Sequence, residues 1–255
     1  MNYKLEGAGE TLVFIHGLSD DLLYWEYMAT YLKDDYQVLR IDLRGHGESE
    51  LGNDKITIGT YADDLYNLLE DLNIANVNLI GFSLGGAVAL DFAVRYPQMV
   101  SSLVLMSTFC KEDNHLEPFF VKFKDALESS FEEFFDLILP MVLCPDVIEG
   151  NEAEIEMLKK FASQNANPQA YIKAIDACAD FNVEDKLSQI SIPTLILVGK
   201  YDELTLPDTQ MELKNKIKDS KVIVFDNVRH NLLVGKNNSE ILNILKKFYK
   251  KIKSK

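Results

Sequence analysis

The chain has 255 residues, enough to bury a full core as one α/β unit, and its 47% hydrophobic and 26% charged residues are ordinary for a soluble globular protein. Its 26 Lys and Arg against 40 Asp and Glu leave a net charge of −14, which argues against nucleic acid as a partner. No apolar run reaches the length of a membrane span and the N-terminus has no signal-peptide pattern, so a cytoplasmic location is expected.

The first apolar run, 11–15, reads as a strand ending in His16-Gly17-Leu18-Ser19, followed by a helix near 22–33 that carries Trp25 and Tyr31. A strand at 37–42, a helix near 60–73, a strand at 77–82, a helix at 85–96 and a strand at 102–107 follow. From 110 to 190 the pattern is helical, with no convincing strand. Strands at 194–198 and 221–225 then alternate with helices near 207–218 and 239–252. Strands alternating with helical stretches of about a dozen residues predict a doubly wound, mostly parallel sheet. No internal repeat or low-complexity segment interrupts it. Cys110, Cys144 and Cys178 are odd in number, widely spaced and without a metal-ligand pattern, so free thiols in a reducing compartment are the simplest account. Cys110 alone follows a strand closely enough to lie near a site.

The most informative stretch is Gly81-Phe82-Ser83-Leu84-Gly85-Gly86, set between a predicted strand and a predicted helix. Gly-x-Ser-x-Gly by itself is weak. In a strand–turn–helix setting it describes a nucleophile elbow, with the serine strained at the top of the sheet and glycines where a Cβ would collide across the turn. Such a serine needs a base and an orienting acid, in the chain order Ser, acid, His. His115 and His230 follow Ser83; His115 lies in a charged segment with no strand before it, whereas His230 follows strand 221–225 and a turn. Asp202 occupies the loop after strand 194–198 and is the expected acid, with Glu203 and Asp226 next in line. Acyl transfer also needs two N–H groups aimed at the developing oxyanion. Leu84, at a helix N-terminus, and Leu18, after the first strand, are expected to supply them. His16 and His46 precede the serine and read as structural histidines bonded to nearby backbone.

These motifs give the chain a resemblance to the α/β-hydrolase superfamily along nearly its whole length. It is most similar to the small esterase, lactonase and peroxidase-like branch. The resemblance rests on His16-Gly17, on Asp42-Leu43-Arg44-Gly45-His46-Gly47-Glu48-Ser49 and on Gly81 to Gly86, with Gly199 to Asp202 and His230 downstream. It implies a Ser83–His230–Asp202 hydrolase of acyl compounds without metal or organic cofactor. Serine at the elbow, in place of aspartate, points away from dehalogenases and epoxide hydrolases. Relatives that cleave carbon–carbon bonds in ring-fission products usually place tryptophan after the histidine and use a Gly-Asn-Ser elbow. Here Asn231 follows His230 and Phe82 precedes Ser83, and both count against that activity. One or two of the family's edge strands are expected to be shortened or absent, with Met1 to Glu6 the remnant of one.

The resemblance divides the chain into a core, 1–109 and 191–255, and a helical lid inserted at 110–190. Seven of fourteen phenylalanines fall at 109–135, namely Phe109, Phe119, Phe120, Phe123, Phe131, Phe134 and Phe135. Most are expected to pack helix on helix, and a few to line an apolar acyl pocket. Residues 111–190 carry seven lysines and no arginine against seventeen carboxylates, a net of −10. Such a lid disfavours an acidic carrier protein and strongly anionic substrates. The lysine-rich end, Lys246 to Lys255, suits a solvated helix C-terminus more than a membrane surface. The expectation is a serine carboxylesterase acting on neutral, small-to-medium acyl esters. A lactonase or carbon–carbon hydrolase on the same triad is the enzymatic alternative, and a small-ligand sensor is the alternative of another class.

Overall fold

The computed structural model describes residues 1–253. At its centre lie seven strands: β1 (Tyr3–Glu6), β2 (Thr11–Ile15), β3 (Gln37–Ile41), β4 (Val77–Phe82), β5 (Val100–Met106), β6 (Thr194–Gly199) and β7 (Ser220–Phe225). They form one sheet in the order β1-β3-β2-β4-β5-β6-β7, parallel throughout except for β1, which runs antiparallel to β3. The N-terminal remnant is therefore a real edge strand. Every residue of β2, β4 and β6 is buried, which is why these strands read as unbroken apolar runs.

The two faces alternate along each strand. Val13 and Ile15 of β2 join one core layer, whereas Leu12 and Phe14 join the other. The first layer packs α2 (Ile58–Asp71) and α3 (Leu84–Arg95); the second packs α1 (Glu26–Leu32) and α10 (Asn237–Lys253). The helix expected near 22–33 begins as a 3-10 turn, Leu22–Trp25, because the Asp21 carboxylate caps it by accepting from Leu23 N at 2.7 Å. Thr57 and Thr60 form a reciprocal capping box that starts α2 two residues earlier than the hydrophobic period alone suggests. α10 buries Ile241, Leu242, Leu245 and Tyr249, one stripe at helical spacing. Lysines crowd its last turn, and the final lysine of that run, Lys255, lies outside the described residues. α9 (Pro207–Lys216) joins β6 to β7.

Between β5 and β6 the chain leaves the sheet for α4 (Glu117–Ser129), α5 (Phe131–Val142), α6 (Pro145–Ile148), α7 (Glu152–Asn165), α8 (Pro168–Ala179) and a 3-10 turn, Glu184–Gln189. Its only strand-like pairing among the described residues is an isolated bridge, Lys111 to Asn182. α4 packs against α5 and α8, and α8 reaches α2 of the core. α7 buries no residue of its own, and its Met157, Leu158 and Phe161 are more than half exposed. Among the described residues no helix is long and apolar enough to cross a membrane.

Candidate active site

β4 runs straight into α3 through Ser83, whose φ of 51° and ψ of −116° lie in a region that side-chain-bearing residues rarely occupy. The surroundings leave little choice. A Cβ on Gly81 would meet Gly85 O at 2.3 Å, and one on Gly85 would meet Ile15 O at 2.2 Å. The strained residue is then held from both sides. Ser83 N donates to Met106 O at 2.9 Å, and the Thr108 hydroxyl donates to Ser83 O at 2.7 Å. Gln210, fully buried in α9, donates to Thr108 O and so ties α9 to the elbow.

His230 comes from the loop after β7 and places Nε2 3.0 Å from Ser83 Oγ. Its Nδ1 faces both carboxylate oxygens of Asp202, at 2.9 and 3.1 Å. With Nδ1–H donating to that carboxylate, Nε2 keeps its lone pair toward the serine hydroxyl. Asp202 is 2% exposed and also accepts from Leu204 N, Thr205 N and the Thr205 hydroxyl, at 3.0, 2.9 and 2.8 Å. Burial pushes its carboxyl up, but the facing His230 and the hydrogen bonds from His230 and Thr205 outweigh burial and hold it below the usual carboxylate range. The other acids stand apart. Asp226 pairs with Lys200 at 2.8 Å on a side chain 79% exposed, and Glu203 pairs with Arg229 at 3.5 Å at the surface.

Leu18 and Leu84 flank Ser83 on the wall of one cavity. Leu84 opens α3, so its N–H precedes the helix's own bonds, and neither N–H has an acceptor among the described residues. His16 has a positioning effect here. Leu43 N–H donates to His16 Nε2 at 3.0 Å, so Nδ1 must carry the proton that it donates to Gly17 O at 2.7 Å. Fixing that carbonyl fixes the trans Gly17–Leu18 peptide, whose N–H points the opposite way. Burial lowers the His16 pKa; burial and the neighbouring His16 push His46 down to about 3, so both rings are neutral structural groups. His115 Nε2 lies 2.8 Å from Glu203 O, away from the serine. Asp42 accepts from Leu22 N, Asn2 Nδ2 and Glu48 N, so the Asp-x-Arg-Gly motif braces loops around the site. Cys110 is buried with its thiol pushed up to about 11 by desolvation, and it does not line the cavity. Among the described residues no cluster of side chains could hold a metal ion.

The cavity over Ser83 has a volume of about 500 Å³ and is overwhelmingly apolar. Six of the seven phenylalanines at 109–135 line it, more than the helix-packing expectation allowed, while Phe119 packs against His115 and Phe123. Phe161 and Leu158 of α7 complete the wall. The insertion also grips the His230 loop. Pro140 inside α5 is followed by carbonyls at Met141 and Val142 that accept from His230 N and Asn231 N, at 3.5 and 3.0 Å. Arg229 donates to Pro140 O, and the Cys144 thiol to Asn227 O at 3.3 Å. Sequence reasoning missed these contacts, along with Thr205, Thr108 and Gln210. Only Thr205, three residues beyond Asp202, carries a local spacing that could have revealed it.

Residues 10–236 match the family model described as the alpha/beta hydrolase fold. The chain belongs to that family, and it is a hydrolase. It is 29% identical over 224 residues to a putative carbamate hydrolase, RutD, of Rhizobium rhizogenes, covering 82% of each chain. The fold matches MGS-M2, an alpha/beta hydrolase enzyme from a Medee basin deep-sea metagenome library, with a TM-score of 0.91 at 22% identity, covering 97% of this chain and 93% of that one. It also matches the enol-lactonase of Burkholderia xenovorans LB400, with a TM-score of 0.90 at 21% identity, covering 98% and 96%.

Proposed function

We propose that the protein is a serine carboxylesterase acting on neutral, small-to-medium acyl esters through an acyl-enzyme. The observation that carries this reading is the relay itself: a strained serine hydroxyl 3.0 Å from an imidazole nitrogen whose other nitrogen is held by a buried carboxylate. In the proposed reaction His230 Nε2 takes the Ser83 proton as Oγ bonds to the ester carbonyl carbon. The carbonyl electrons move onto oxygen, where the Leu18 and Leu84 N–H groups receive them. As the tetrahedral intermediate collapses, His230 returns the proton to the departing alkoxide. Water then repeats the cycle on the acyl-enzyme, with His230 as base, and releases the acid. Asp202 holds the tautomer and balances the imidazolium in both halves.

The helices between β5 and β6 act in this reading as a lid, and their cavity wall selects the acyl chain. An apolar space of about 500 Å³ favours uncharged acyl groups, while the net charge of −10 on residues 111–190 repels anionic ones. A carbamate or lactone presents the same carbonyl to the same serine. The RutD likeness makes carbamates the second reading to measure.

The test is kcat/KM across p-nitrophenyl esters of rising acyl length, with a matched carbamate and a matched anionic ester. Each added methylene should contribute at most about 0.8 kcal/mol until the cavity fills, giving a peak at roughly four to eight carbons and then a fall. Phe135→Ala should move the peak to longer chains. A flat profile, or preference for the anionic ester at low salt, contradicts the reading; preference for the carbamate moves it to the second.

A further inference from the structure

One wall of the cavity is not apolar. The loop between β2 and the Leu22–Trp25 turn contributes Asp20 and Asp21 to it, and among the described residues no lysine or arginine lines it. Asp21 is occupied as the cap of the turn, accepting from Leu23 N. Asp20 is half-buried and forms no ion pair among the described residues. It shares the cavity wall with His230, whose charge acts on it, and with Tyr24 and Tyr171, on which its own charge acts. A carboxyl kept in an apolar cavity without a lysine or arginine partner costs folding stability.

We propose that Asp20 is the recognition residue for an alkylammonium group on the substrate, binding it as an ion pair inside a cavity whose aromatic walls suit a weakly hydrated cation. The inference rests on the reading of Ser83 as the nucleophile of an ester hydrolase and names a substrate class for that site. Three features support it together: the carboxyl has a backbone hydrogen bond from Gly17 but no lysine or arginine partner, no lysine or arginine among the described residues lines the cavity, and the rings of Tyr24, Tyr171 and Phe131 offer surface to N-alkyl groups. The acidic insertion above adds attraction for a cation on its way in. Burial, and then the neighbouring Asp21, push the Asp20 carboxyl up to about 7, outweighing the opposing effects of His230 and of the hydrogen bond from Gly17. The acyl chain remains neutral, as the apolar wall requires; between esters of equal size, one with an alkylammonium on its alcohol part binds more tightly.

The test uses Ser83→Ala protein, which keeps the cavity and cannot turn the ligand over. Calorimetry at pH 8 and low salt compares butanoylcholine with 3,3-dimethylbutyl butanoate, its uncharged carbon isostere. Butanoylcholine should bind roughly tenfold more tightly, the equivalent of about one unit of pKa on the partner carboxyl. Adding Asp20→Asn should abolish the preference, and Asp20→Glu should retain it. Equal or weaker binding of the cation, no measurable binding of it, persistence of the preference in Asp20→Asn or its complete loss in Asp20→Glu overturns the proposal. Wild-type turnover of p-nitrophenyl butanoate, measured in parallel, reports on the ester reading alone. Its absence would overturn that reading while the two binding constants still decide the role of Asp20.

Discussion

The sheet and the helical insertion meet at the same serine but are built on different terms. Around Ser83 the backbone does the positioning: Gly81 and Gly85 leave no room for a Cβ, and Met106 and Thr108 pin the strained residue from both sides. In the insertion the side chains set the shape. α7 buries none of its residues, and six phenylalanines between 109 and 135 face a cavity as well as one another. The geometry at Ser83 is thus over-determined by backbone, whereas the cavity wall is set by side chains. In the proposed reading the first region carries the chemistry and the second selects the acyl chain. The carbonyls of Met141 and Val142, which hold the His230 loop, are where the two are coupled.

The largest effect should come from the relay. Asp202→Asn should lower kcat by about 10⁴-fold, because an amide neither fixes the tautomer nor balances the imidazolium. Asp226→Asn, at an exposed carboxylate paired with Lys200, should change kcat by less than about twofold. Steady-state rates on one activated ester compare them, and the reverse ranking would place the acid at 226.

Glycine substitutions probe the same contrast through stability. Gly85→Ala should cost at least about 3 kcal/mol, since its Cβ would sit 2.2 Å from a backbone carbonyl oxygen. Gly150→Ala in the insertion, where the nearest atom is 3.7 Å away, should stay within about 1 kcal/mol of wild type. Denaturant unfolding of both proteins checks this. Similar losses at the two positions would mean that the insertion is packed as tightly as the elbow.

A smaller and pH-dependent effect is expected at Asp20, on the seam between the regions. Its folded pKa of about 7 stands above an ordinary value of 3.8, so the unfolded chain releases this proton first as pH rises. Stability is therefore lost between these two values, and the loss is complete above about pH 7. Asp20→Asn should raise Tm by roughly 2–4 °C at pH 8, with the gain shrinking toward pH 4. A gain that is equal at both values, or larger in acid, would show that the carboxyl is not desolvated.

Most of the core was legible because its signals are local. β2, β4 and β6 are buried on both faces and so read as continuous apolar runs, and the elbow announces itself through spacing that only a tight turn requires. The loops after β6 and β7 pointed to Asp202 and His230 for the same reason. What escaped was non-local. Gln210 reaches Thr108 across 102 positions of sequence, and nothing near either residue signals the contact. The phenylalanine spacing marked buried helical faces correctly, but a face buried against another helix and one buried against an empty cavity have the same period. Asp20 and Asp21 are adjacent acids in the sequence, and only the three-dimensional arrangement separates the cap from the carboxyl in the cavity wall.

The central claim is that Ser83 is a nucleophile activated by His230. Intact and peptide mass spectrometry after treatment with an alkyl fluorophosphonate measures this directly, without knowledge of the natural substrate. One phosphonyl adduct per chain is expected, on the peptide containing Ser83. It should be absent in Ser83→Ala, slowed at least about a thousandfold in His230→Ala, and accompanied by loss of ester hydrolysis. A wild-type chain that takes up no adduct, or one that carries it elsewhere while Ser83→Ala retains its turnover, would contradict the account.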